Sequence, residues 1–212
     1  MMAMSRRAYS CQHLYSDSLA VTQVSSDRHV SVAGLYDHRL MVEYFDELEL
    51  GICLRINALS QKIGWRRLFT AVSRLGDWPA YAIVGIACAA LLEEAGLAFL
   101  LQSLLTAGAG IALYKSLKHR LVRERPFITH NGIVAAAAPL DRYSFPSGHT
   151  MHAVSFAILF TAHVPVMIWI MAPFAILVAM SRVVLGLHYP TDVLVGAALG
   201  ALLAWSSLGV LA

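Results

Sequence analysis

Residues 166–187 read VMIWIMAPFAILVAMSRVVLGL, and this stretch decides the fold class. No charge interrupts it until Arg182, near its end. A run this long and this apolar suits a helix crossing the hydrocarbon core of a bilayer. Four more apolar stretches surround it: about Trp78–Leu92, Ala95–Tyr114, Ser147–His163 and Thr191 to the C-terminus. Each of the five holds about 15–23 residues, roughly 22–35 Å as helix, against a hydrocarbon core of about 30 Å. Pro79 falls in the first turn of the shortest stretch, where a missing N–H costs least.

The composition agrees. Of the 212 residues, 58% are hydrophobic and 14% charged, against about 45–50% and about 25% in soluble domains. Mean hydropathy is +0.63. One soluble core of this size has no room for so much apolar residue, so the excess faces lipid. Net charge is only +3, and no basic run interleaves with aromatics, so nucleic acid is not an expected partner. Cys11, Cys53 and Cys88 are scattered and lack CxxC spacing. They imply neither a disulfide framework nor a zinc site.

Arg6 and Arg7 precede a polar stretch rather than an apolar one, so a cleaved secretory signal is not expected. Residues 1–35 read as a disordered tail, and organised sequence begins near Met41, which would suit a translation start there. From Leu40 to Leu59 apolar residues recur every four positions, with Glu43, Asp46, Glu47 and Glu49 between them. That pattern predicts an amphipathic helix lying at the interface rather than a span. A basic amphipathic piece with Trp65, Arg66 and Arg67 follows. The expected fold is an all-α integral-membrane helical bundle, about five spanning helices plus an N-terminal amphipathic interfacial helix.

Counting turns along the chain puts three polar clusters on one side of the bundle. They are Lys118-His-Arg-Leu-Val-Arg-Glu-Arg125-Pro126, Pro146-Ser147-Gly148-His149, and Ser181-Arg182 through His188-Tyr-Pro-Thr-Asp192. Arg125 and Arg182 can each grip an oxyanion through parallel N–H bonds, and Lys118 adds a point charge. Ser147 and the Gly148 N–H open a predicted helix, where free N–H groups favour an anion. Such a pocket fits a phosphoryl group. His188 and Asp192 are four residues apart. In a helix they share a face, and the carboxylate accepts Nδ1–H and leaves Nε2 free to attack. Tyr189-Pro190 between them argues for a turn instead. His149 remains as general acid for the leaving oxygen. The surrounding cations repel a metal ion, so no metal and no cofactor are expected. Arg120, Arg123 and Arg142 read as contacts to lipid head groups, Tyr143 and Phe145 as interface anchors. His119, His130, His152 and His163 read as structural.

These clusters resemble the signature KxxxxxxRP, PSGH and SRxxxxxHxxxD of the type 2 phosphatidic acid phosphatase superfamily, also called lipid phosphate phosphatases. Every signature position is present, in order and at the family's spacing, and the resemblance covers about residues 75–210. It implies a helical bundle related to the vanadium-dependent haloperoxidases, a phosphohistidine intermediate and no metal. Carried over by position, Lys118, Arg125, Ser147, Gly148 and Arg182 bind the phosphoryl group. His188 is the nucleophile, Asp192 its orienting partner and His149 the general acid. Small bacterial relatives act on undecaprenyl diphosphate, phosphatidylglycerophosphate or phosphatidic acid, which makes a membrane lipid phosphate the expected substrate and the bacterial inner membrane the expected location. The domain reading is a tail at 1–35 and one membrane phosphatase domain at 36–212, amphipathic over 36–76 and spanning over 77–212.

Two other functions stay open at this point. An acceptor alcohol in place of water would make the same chemistry a lipid phosphotransferase, and a non-enzymatic membrane protein would leave the charged clusters unexplained. All 16 Lys and Arg fall on the side of the clusters, and the positive-inside rule assigns that side to the cytoplasm.

Overall fold

A computed structural model describes residues 38–139 and 141–211. The expected tail at 1–35 lies outside the described residues. The chain divides after Phe45 into two compact units. Of the first, the described part is the opening of one helix, with Tyr44 and Phe45 exposed. The second, from Asp46, holds everything discussed below.

The chain order is α1 (His38–Asn57), α2 (Ile63–Leu75), α3 (Trp78–Leu91), α4 (Gly96–Arg120), α5 (Gly148–His163), α6 (Ile168–Val184) and α7 (Pro190–Leu211). The protein is an all-α membrane bundle, as its apolar runs predict. Large apolar side chains such as Ile83, Leu97, Leu104, Ile176, Leu194 and Trp205 point outward, which suits lipid and not water. Among the described residues, three segments are long and apolar enough to cross a membrane: Glu93–Arg120, Pro165–Val184 and Pro190–Val210. The other two of the expected five are shorter. Helix α3 has 14 residues and α5 has 16, about 21 and 24 Å.

For α5 the reason is its place. It packs against α4, α6 and α7, and Thr150, Met151, Ala153, Leu159 and Phe160 are all buried. A helix wrapped by protein need not match the bilayer. Its aromatic side chains form the centre of the core: Phe156 stands 4.7 Å from Tyr81 and 5.4 Å from Phe160, which meets Phe99 at 5.3 Å, ring centre to ring centre. Offset and tilted ring pairs of this kind add to the area they bury.

Two glycines set where the polar clusters meet. Gly186 has φ +72°, and a Cβ there would lie 2.7 Å from the Val134 carbonyl oxygen. It allows a tight reversal after α6, in which the Arg182 carbonyl accepts the N–H groups of both Leu187 and His188. Only glycine takes that backbone and that contact without strain. Gly196 of α7 approaches the backbone where α5 begins, and a Cβ would lie 2.6 Å from the Ser147 carbonyl oxygen. The Ser147 N–H donates to the Asp192 carbonyl at 3.0 Å. The second and third clusters are thereby stitched together through backbone.

Helices α1 and α2 are amphipathic. In α2, Phe69, Val72 and Ser73 are buried while Ile63, Trp65 and Leu68 are exposed. At the end of α1, the Asn57 amide donates to the carbonyls of Val134 (3.0 Å) and Val184 (2.9 Å) and accepts the Val134 N–H (2.9 Å). A buried amide satisfied on three sides fixes the loop that follows the first cluster.

Candidate active site

The helix ends bring the clusters to one cavity of about 550 Å³, whose walls include Lys118, Arg125, Gly148, His149, Arg182 and His188. Lys118 comes from the last turn of α4, Gly148 and His149 from the first turn of α5, and Arg182 from the end of α6. Arg125 and His188 come from the connecting segments. Two predicted residues stand back from the cavity. Ser147 is fully buried, with its Oγ hydrogen-bonded to Thr150 Oγ1 at 2.9 Å. Asp192 is fully buried behind His188.

The histidine and the aspartate do not share a helix face. Pro190 opens α7, because a residue without an N–H fits the first helical position. His188 therefore lies in the turn before the helix and Asp192 in its first turn. They face each other across this cap, with Nδ1 and Oδ2 3.6 Å apart, beyond hydrogen-bond range. The expected Nδ1–H bond is not made, and among the described residues Nδ1 has no partner. On the other side of the ring, Nε2 is 3.3 Å from Arg125 Nη1. A guanidinium only donates, so Nε2 must present its lone pair and the proton sits on Nδ1, toward Asp192. Burial holds the His188 pKa well below 6.5, and the charges of Arg182, Arg125 and Lys118 push it the same way. The imidazole is neutral at pH 7.

Four carboxylates complete the site, and sequence reasoning assigned none but Asp192. Asp141 accepts from Lys118 Nζ (2.8 and 2.9 Å) and from Arg125 Nη2 (2.7 Å). Its backbone carbonyl takes Arg125 Nε at 2.8 Å. Burial alone would raise the Asp141 carboxyl, but the bonds from Lys118 and Arg125 outweigh it and hold the group below the usual range. A backbone bridge between Glu124 and Tyr143 anchors this loop. Asp77, just before α3, caps nothing there and instead lies 3.0 Å from His149 Nε2. A carboxylate accepts, so that nitrogen carries a proton.

Arg123 does not reach outward to head groups. Its Nη1 donates to Asp192 Oδ1 (2.8 Å) and Thr191 Oγ1 (2.7 Å), its Nη2 to Glu49 of α1. The guanidinium lies 3.9 Å over the Tyr189 ring. Arg142, by contrast, is exposed and pairs with Glu124. Arg182 is buried, and among the described residues it has no carboxylate partner: Nη1 donates to Ser73 Oγ and Nε has none. Of the histidines read as structural, His119 and His152 line the cavity, and His163 bonds Gln102 at 2.8 Å away from it. The only sequence signal for these carboxylates was the excess of buried positive charge that they neutralise.

A buried neutral imidazole among three cations, at the end of a lipid-facing bundle, defines an oxyanion-handling enzyme of the membrane. The pattern of the PAP2 superfamily matches residues 98–211. The chain belongs to this superfamily of type 2 phosphatidic acid phosphatases, and with it to the lipid phosphate hydrolases. It is 35% identical over 132 residues to the decaprenylphosphoryl-5-phosphoribose phosphatase of Mycolicibacterium smegmatis, covering 59% of this chain and 68% of that protein. In structure it is similar to the transmembrane PAP2 type phosphatidylglycerolphosphate phosphatase of Bacillus subtilis, with a TM-score of 0.62, 27% identity, and coverage of 84% of this chain and 89% of the other. Aquifex aeolicus LpxE gives a TM-score of 0.65 at 26% identity, covering 76% and 95%.

Proposed function

We propose that this protein hydrolyses a lipid phosphate or diphosphate, of the undecaprenyl diphosphate, phosphatidylglycerophosphate or phosphatidic acid class, through a phosphohistidine on His188 and without a metal. The observation that carries this is the neutral His188, which lines one cavity with Lys118, Arg125 and Arg182 and has its Nε2 beside Arg125 Nη1. Nε2 attacks phosphorus, and the bond from phosphorus to the leaving oxygen breaks. That oxygen keeps the electron pair and takes a proton from His149. Water then attacks the phosphohistidine, His149 takes its proton back, and the N–P bond breaks. The cations hold the non-bridging oxygens throughout.

The surroundings support a lipid substrate. An apolar slot of about 390 Å³, lined by Tyr81, Phe156 and Phe160, shares Gly76, Trp78, Ile111 and His152 with the cavity. It suits a hydrocarbon chain. A second cleft of about 510 Å³, lined by Arg66, Arg67 and Arg74, shares Asp77, His149 and Arg182. It suits entry of water, which favours hydrolysis over transfer to an alcohol. The fitting location is the bacterial inner membrane.

The test is phosphate release by detergent-purified protein from a panel of lipid phosphates and diphosphates, with EDTA present. Release undiminished by EDTA is the expected result, and loss of release on chelation would overturn the metal-free mechanism. Phosphate passing to an added lipid alcohol, with none set free, would identify a transferase.

Asp141 bears on substrate entry, because it occupies the hydrogen bonds of two phosphate-binding cations. Asp141→Asn removes that internal competitor. Inhibition by inorganic phosphate should tighten by about tenfold, the effect of about one charge-assisted hydrogen bond. Unchanged or weaker inhibition would show that the carboxylate orients Lys118 and Arg125 instead of competing for them.

A further inference from the structure

We infer that Glu49 and Arg123 are positioning residues for the reaction, forming a part-buried clamp that fixes Asp192 behind His188. This rests on the hydrolase reading above and adds a part that the signature does not contain. Arg123 falls at an unspecified position of the first motif, and Glu49 lies in α1, outside the matched residues 98–211.

The surroundings of Asp192 are closed on every side. Asp192 is fully buried, and its two oxygens are both used: Oδ1 by Arg123 Nη1 at 2.8 Å, Oδ2 by the Tyr189 N–H at 2.9 Å. Arg123 is in turn held by Glu49, by Thr191 Oγ1 and by the face of the Tyr189 ring. Glu49 is 7% exposed. Its other oxygen accepts the Thr191 N–H at 2.7 Å and the Thr191 hydroxyl. That N–H is one of the donors a helix start leaves unpaired, so Glu49 caps α7 one residue before Asp192. One carboxylate thus fixes both the backbone that carries Asp192 and the cation that grips it.

The consequence is specific. With His188 Nδ1 3.6 Å from Asp192 Oδ2, the carboxylate reaches the imidazole only through small movements. The clamp limits those movements and keeps a negative charge at a fully buried position. A buried carboxylate left without its cation takes up a proton instead, and a protonated Asp192 no longer stabilises positive charge on His188 during attack. Helix α1 is therefore part of the working site and not only an interfacial anchor.

The test measures steady-state kinetics of the purified full chain on one lipid phosphate for Arg123→Gln, Arg123→Lys and Glu49→Gln, each alone and with Asp192→Asn. Arg123→Gln should lower kcat by about 10- to 100-fold, the range for removing an orienting partner behind a working histidine, with KM within about twofold. Arg123→Lys, which keeps a cation, should recover much of the loss. In the Asp192→Asn background the Arg123→Gln change should cost under about threefold, because the group it positions is gone. A raised KM with unchanged kcat would overturn the clamp and assign Arg123 to the substrate or head groups. Equal losses in both backgrounds, or no rescue by lysine, would reduce it to a fold contact. An active wild type with unaffected variants sinks the clamp alone, whereas an inactive wild type sinks the hydrolase reading with it.

Discussion

His188→Ala is expected to take phosphate release below detection while leaving the bundle folded. The alanine removes the atom proposed to bond to phosphorus, among the described residues the one imidazole nitrogen in this cavity that Arg125 contacts directly. His149 shares the cavity, but its Nε2 is engaged by Asp77. Folding should survive, because the turn is set by Gly186 and by the Arg182 carbonyl, not by the imidazole. The wild-type pH profile is part of the same expectation. With His188 held well below 6.5, the nucleophile stays unprotonated through neutral pH, and its acid limb in kcat/KM falls below pH 6.5. Substantial release by the alanine variant, with helical content unchanged by circular dichroism, would move the nucleophile elsewhere.

The second large effect is expected at Asp192. Asp192→Asn keeps size and can still accept the Tyr189 N–H, so the α7 cap stays in place. It loses the charge that faces Nδ1–H. Positive charge forming on the ring during attack then has no counter-charge. By analogy with other His–Asp pairs, kcat should fall by about 10⁴. The 3.6 Å gap does not weaken this expectation, since the pair need close only as positive charge develops on the ring. Kinetics on the purified variant decide the point: near-normal kcat would show that Asp192 serves the fold and not the reaction.

The helices were legible in sequence because lipid contact demands long uncharged runs, and such runs cannot hide. Residues 166–187 and 191–211 announce themselves, and Pro79 and Pro190 mark helix starts. The lengths of α3 and α5 were less legible. The apolar pattern does not tell a lipid-facing helix from one wrapped by its neighbours, as α5 is. Within the site, the histidines, Lys118, Arg125 and Arg182 could be grouped because each sits at a helix end on one side of the bundle. The carboxylates other than Asp192 could not. Asp77 meets His149, and Glu49 meets Thr191, from far away along the chain. Acidic residues in polar segments carry no periodic signal, so only the packed structure pairs them. The His188–Asp192 spacing was readable, but its geometry belongs to a cap and not to a helix face, as Pro190 dictates.

The central claim is covalent chemistry at one nitrogen, and the most direct measurement is to trap it. Purified protein is mixed with a lipid phosphate labelled in the scissile phosphoryl group, stopped in alkali, where phosphohistidine survives, and digested for mass spectrometry. The account predicts label on the peptide carrying His188 in wild type and none in His188→Ala. Labelled phosphate released at full rate with no label on His188 at any time would contradict it.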